Sequence, residues 1–212
     1  MNRLPVIVRQ HIAGFRALLV FTVLCGLIYP AVMVGFSQLA FHRQANGSTV
    51  SFHGRTVGSS LLCQEFADAK GNPLPQYFQP RPSDAVDATS KTDYGCNPLF
   101  SAASNLGPSN PAQIKLIKQR QQAIAAFDHV SVSQIPADAV TASGSGLDPG
   151  ISPQNAAIQV DRVAAARHLP VATVKELVAT YTQGRTLGFL GEPAVNVLQL
   201  NIALDQLSKS GS

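Results

Sequence analysis

Charge is scarce in this chain. Lys, Arg, Asp and Glu make up 13% of its 212 residues, against about 25% in ordinary globular domains. From Ala17 to Phe41 none of the four occurs. Basic runs, and basic residues interleaved with aromatics, are missing too, which removes nucleic acid from the candidate partners. There is no G-x-x-x-x-G-K-[ST] phosphate loop and no dinucleotide fingerprint. His11, His42, His53, His129 and His168 stand at no ligand spacing with Cys, Asp or Glu, which argues against a zinc site. Beyond residue 41 about 170 residues remain, enough to bury a core without staples.

What the sequence does hold is the uncharged run itself. About 25 apolar residues in a helix, at about 1.5 Å each, exceed a hydrocarbon core of about 30 Å and cross it with some tilt. Leu18, Phe21, Leu24, Ile28, Val32 and Phe36 surround that helix, so it has no polar face for water. A cleaved signal peptide would carry a shorter apolar core of about 7–15 residues and small residues at its end. This run ends Ser37-Gln38-Leu39-Ala40, with Gln38 where a small residue is wanted, so an uncleaved anchor is expected. Pro30 withholds a backbone donor, which predicts a bend near Tyr29-Pro30. Thr22 and Gly26, then Ala31 and Gly35, are small residues four apart, a spacing that permits close helix packing in a membrane. Small residues are also common in spans generally.

Arg3, Arg9 and Arg16 precede the run and Arg43 and Arg55 follow it. That excess points the short tail inward. The expected organisation is a cytoplasmic tail over 1–16, a transmembrane helix over 17–41 and an extracytoplasmic domain over 42–212 in the plasma membrane. Cys63 and Cys96 are the two cysteines of that domain. On the oxidising side they are a disulfide candidate; the alternative is two buried thiols.

The domain reads as α+β: mainly helical, with a few short strands, after one N-terminal transmembrane helix. Val50 and Phe52 alternate among Gly47, Ser48 and Gly54, predicting short strands that lead to Gly58-Ser59-Ser60. Leu61–Phe66 reads as strand or helix without a deciding period. Residues 70–111 carry seven prolines and are expected to be irregular but ordered, because Tyr77, Phe78, Tyr94, Leu99 and Phe100 can bury area. A helix is predicted over 111–128, capped by Asn110, with Ile114, Ile117, Ile124 and Phe127 inward. A second begins at Ser152-Pro153 with Ala156, Ala157, Val160, Val163 and Ala164 inward. A third spans about 171–182, with Val174, Leu177, Val178 and Tyr181 inward. A last helix, capped by Asn196, carries Val197, Leu200, Leu204 and Leu207.

The loop Thr141–Pro149 is rich in Ser and Gly. Its backbone N–H groups suit either an anion nest or tight turns with Asp148 capping a local group, and the second is favoured. Ser145, His168 and Asp148 form a conceivable hydrolase trio without a nucleophile elbow. Arg81, Arg162 and Arg185 suit an anionic ligand or, more simply, pairing with Asp or Glu.

Several segments taken in order resemble the KdpC family, the C subunit of the bacterial potassium-transporting Kdp ATPase. They are Gly58–Leu62, Gln64-Glu65-Phe66, Tyr77–Ser83, Ser104–Pro111, Thr141–Pro149 with Ile151-Ser152-Pro153, Gln159–Ala164 and Leu190–Asn201. Cys63 stands where the family is expected to have glycine, and Ser101-Ala102-Ala103-Ser104 where it has Ser-Gly-Gly-Ser. The resemblance implies a noncatalytic subunit of an ATP-driven potassium importer. Its implied partners are a channel-like potassium-binding subunit, a P-type ATPase subunit, a small single-span subunit and the lipid bilayer. It also implies a catalytic chaperone that raises the ATP affinity of the ATPase subunit, with a nucleotide contact at Ser101, Ser104 and Asn105. With the domain outside, that effect would pass through the span. Ser143, Ser145, Asp148 and Glu192 are then candidates for a partner-facing surface, and Thr22, Gly26, Pro30, Ala31 and Gly35 for helix packing. The alternative is a stand-alone membrane-anchored hydrolase or ligand-binding module.

Overall fold

A computed structural model describes residues 5–90 and 94–210, with side chains up to residue 207. Arg3, one of the flanking charges, lies outside the described residues. The chain divides into two compact units, residues 1–49 and 50–212.

The first unit is built on one long apolar helix, Val6–Ala40, of 35 residues. It comprises α1 (Val6–Val23), a π-helical turn over Leu24–Ile28, and α2 (Tyr29–Ala40). A short helix α3 (His42–Ala45) follows. The irregularity expected at Tyr29-Pro30 falls in the turn just before it. Pro30 has no N–H to give, and its ring crowds the carbonyl four residues back. The chain widens there, and the Tyr29 N–H bonds to the Leu24 carbonyl, five residues back. The helix also begins earlier than the uncharged run, so Arg9 and Arg16 ride on α1. None of its residues is buried within this chain. An apolar surface of that kind belongs in lipid or against other helices.

The second unit opens with a hairpin of β1 (Thr49–Phe52) and β2 (Arg55–Ser59). Its two-residue turn places His53 at φ 50° and Gly54 at φ 76°, the left-handed pair that matches strand twist. The described residues between Leu61 and Asn110 are irregular, and the segment Leu61–Phe66 is neither strand nor helix. Next come α4 (Pro111–Asp128), the short α5 (Ala137–Val140), β3 (Gly150–Ile151), α6 (Pro153–Arg167), α7 (Val171–Thr180), β4 (Thr182–Gln183), β5 (Ala194–Asn196) and α8 (Val197–Ser210). Strands β3, β4 and β5 form an antiparallel sheet in the order β3-β5-β4, with Val195 facing Ile151 on one side and Thr182 on the other.

Helix ends follow their capping residues. The Asn110 side chain accepts the Ala112 N–H at 2.9 Å, Ser152 accepts Asn155 N–H at 3.0 Å, and Asn196 accepts Gln199 N–H at 3.0 Å. The core lies among the sheet, α6, α7 and α8. Phe78, Ile151, Val160, Val163, Val174, Val195, Leu200 and Leu204 are all but fully buried there. Two inward assignments fail. Ala157 is exposed, because the buried side of α6 continues through Asn155, Gln159 and Arg162 instead. On α4, Ile114 stays exposed while Gln113 and Asp128 are buried, Asp128 against Arg162 of α6.

Candidate functional site

The irregular stretch 75–83 has no strand partner, so its backbone groups need side chains. Three helical side chains clamp it. Asn201 on α8 accepts the Phe78 N–H and donates to the Phe78 carbonyl, both at 2.9 Å. Gln159 on α6 does the same for Gln79, at 2.7 and 3.2 Å. One turn on, Arg162 donates to the carbonyls of Pro75 and Tyr77, to Gln159 Oε1 at 2.8 Å and to Asp128 Oδ1 at 2.6 Å. Each amide thus imitates a strand edge with both a donor and an acceptor. Arg167 adds bonds to the Gln76 carbonyl and to Asp205, and lies 4.8 Å from the Tyr77 ring centre.

The Arg162–Asp128 pair is buried on both sides, at 5% and 4% side-chain exposure. Burial pushes the Asp128 carboxyl above its ordinary range, although the hydrogen bond and charge of Arg162 act the other way. The same burial pushes the Arg162 guanidinium down against its bond to Asp128. Burial is the larger influence on both groups, and their bond fixes where α4 meets α6. Burial also raises the Tyr77 phenol, followed by the charge of Asp205, to which it donates at 3.2 Å.

A second convergence lies at the Ser/Gly loop. Its carbonyls point inward as acceptors: Ser145 O takes the Ala102 N–H at 3.0 Å and the Ser101 hydroxyl at 3.1 Å. Gly146 O takes the Ser83 hydroxyl at 2.6 Å, and Leu147 O takes the Cys63 N–H at 3.0 Å. Gly146 has φ 73°, and a Cβ there would meet Ala85 and Ala102 at 2.7 Å. The Cys63–Cys96 disulfide closes this crossing.

The loop is a structural strap rather than an anion nest. The N–H groups of Ser143, Gly146, Leu147 and Gly150 are engaged by Pro82 O, Ser143 O, the Ser145 hydroxyl and Asp148 Oδ1. Asp148 also pairs with Arg81 at 2.9 Å. Ser143, expected on a partner-facing surface, is buried, because its N–H is tied to Pro82. Ser145 is exposed. Glu192 lies apart from the strap's bonds, pairing with Arg185 at 2.7 Å. The three arginines weighed as anion sites thus all pair with carboxylates. The hydrolase trio is not assembled: Asp148 is held by Arg81, Ser145 accepts from Leu147, and His168 ends α6 at φ 55°. Among the described residues no cluster of His, Cys, Asp and Glu suits a metal.

At the nucleotide candidates, the Ser101 hydroxyl is engaged by Ser145 O, Ser104 accepts the Leu106 N–H at 3.5 Å, and Asn105 is exposed at φ 53°. The helix-packing candidates are divided by the π turn. Thr22 lies in α1, Gly26 in the turn, and Pro30, Ala31 and Gly35 in α2. In an unbroken α-helix Gly26 and Ala31, five apart, would sit about 140° from each other. A turn closed on the fifth residue reduces that angle and brings the two small pairs toward one face. Sequence reasoning missed Gln159 and Asn201 as clamps and Asp128 as the partner of Arg162. The surviving signal was the proline density of 73–82, which forbids ordinary strand pairing.

The family model described as KdpC, the K+-transporting ATPase c chain, matches residues 11–206. Three similar proteins bear the name potassium-transporting ATPase KdpC subunit. The one from Geobacter sulfurreducens is 47% identical, with 90% of this chain and 94% of that protein covered. That from Methylococcus capsulatus is 49% identical, with 90% and 94% covered. That from Sorangium cellulosum is 52% identical, with 89% and 93% covered.

Proposed function

The chain belongs to the KdpC family, the noncatalytic, membrane-anchored subunits of the Kdp potassium-transporting ATPase, and from that premise we propose that it assembles and stabilises the complex from the outer face of the membrane. The match over nearly the whole chain carries this reading. The proposed partners are a channel-like potassium-binding subunit, which receives the helix over 17–41, a P-type ATPase subunit and a small single-span subunit. The outer domain then sits near the potassium entrance, and its sparse charge makes it a docking body rather than a cation funnel. Two observations support the orientation with residues 1–16 in the cytoplasm: the excess of Arg3, Arg9 and Arg16 before the uncharged run over Arg43 and Arg55 after it, and a disulfide, which persists in an oxidising compartment.

We further propose that the chain raises the ATP affinity of the ATPase subunit without touching ATP itself. An outer domain is separated from cytosolic nucleotide, and the Ser101 hydroxyl is already engaged. The effect would be allosteric, requiring contacts that favour one state of the pump over another. The test is potassium-stimulated ATP hydrolysis by the complex purified with and without this chain. A raised KM for ATP in its absence supports the chaperone role. A lower yield of complex at unchanged KM leaves assembly alone, and unchanged yield and KM contradict both.

A further inference from the structure

A groove of about 260 Å³ runs between α4 and the clamped stretch. Its walls are Pro73, Pro80, Pro82, Ile124 and Phe127, and Arg120 stands on its α4 side. Arg120 is half-buried and donates one bond, to the Val140 carbonyl at 3.0 Å. Among the described residues no carboxylate lies within ion-pair distance of it. Two of the other charges of the groove are paired. Arg81 is held by Asp148 and Asp128 by Arg162. Glu65 has its Oε1 against Gly95, where a Cβ would come within 2.8 Å. Arg81 keeps a buried Nε with no acceptor among the described residues. The groove therefore combines apolar, proline-rich walls with one uncompensated guanidinium and one unsatisfied guanidinium donor.

We propose that this groove receives a segment of a partner subunit in which an apolar side chain stands beside an Asp or Glu. The apolar group fills the space between Phe127 and the prolines, and the carboxylate meets Arg120. Proline walls offer no N–H to a strand, so the segment is held by side chains rather than by an added ladder. A guanidinium suits a carboxylate because it presents several donors in one plane. The inference rests on the assembly reading above, and the carboxylate is what it adds.

The test uses the assembled complex. Ala123, exposed on the groove wall, is replaced in an Ala123→Cys, Cys25→Ser chain and labelled with a benzophenone maleimide. The labelled complex is purified by a tag on this chain and irradiated. Co-elution of partners before irradiation reports assembly, so its loss marks failure of the assembly reading rather than of the groove. The expected result is an adduct to a partner peptide carrying an apolar residue next to Asp or Glu. Adding Arg120→Gln should lower the adduct yield about tenfold, while Arg120→Lys retains most of it. An intact complex without an adduct overturns the proposal. So does an adduct between two copies of this chain, an adduct peptide without an acid, or a yield indifferent to Arg120→Gln.

Discussion

Arg162 ties three segments together with one guanidinium: α4 through Asp128, α6 through Gln159, and the clamped stretch through two carbonyls. Replacing it with methionine strands a buried carboxylate and several acceptors at once. Arg162→Met should cost about 3–5 kcal/mol, measured as a shift in the urea midpoint of the full chain in detergent. Asp128→Asn keeps an acceptor for the Arg162 Nε–H and should cost less, about 1.5–3 kcal/mol. Equal losses would mean that the charge, rather than the bonding, carries the site. Tyr77 makes a prediction in pH. Its phenol is raised by burial and by Asp205. The folded state therefore holds the neutral form where the unfolded chain would ionise. Its contribution is present in full below a pH of about 10 and is lost as pH rises through the raised value. A Tyr77→Phe chain should show a shallower loss of stability above that pH, followed by thermal melts.

At the scale of elements, the disulfide joins two segments that meet beside the strap, Cys63 through its N–H to Leu147 O and Cys96 through its N–H to the Ser83 hydroxyl. It closes a separation of 33 residues, worth about 3–4 kcal/mol in the chain-entropy description. Cys63→Ser with Cys96→Ser should lower the unfolding free energy from urea titration by that amount, and reductant should do the same to the unaltered chain alone. Much of the element pattern was legible beforehand. Asn110, Ser152 and Asn196 announced their helix starts through short polar side chains before apolar periods. The uncharged run announced its helix by composition. The stretch 75–83 was not legible as a clamped element. Its partners lie 80 and 123 residues away for Gln79 and Phe78, and no local period encodes such pairings. On α4 the inward reading misses at Ile114, which lies in the first turn and stays exposed, while Ile117, Ile124 and Phe127 are half-buried. The π turn shows the converse limit: Pro30 foretold an irregularity, though the helix absorbs it one turn earlier by widening.

At the scale of the whole molecule, an apolar helix with nothing buried upon it and a second unit poor in charge describe a protein made to be covered. The strap and the clamp hold Asp148, Arg162 and the Ser101 hydroxyl in structural bonds. The most direct measurement is affinity purification of the tagged, detergent-solubilised chain from potassium-starved cells, with potassium-stimulated ATP hydrolysis assayed on the eluate. Three partner subunits should co-elute with activity, and both should disappear when residues 1–41 are deleted. A clean monomer from cells that express the partners would contradict the account.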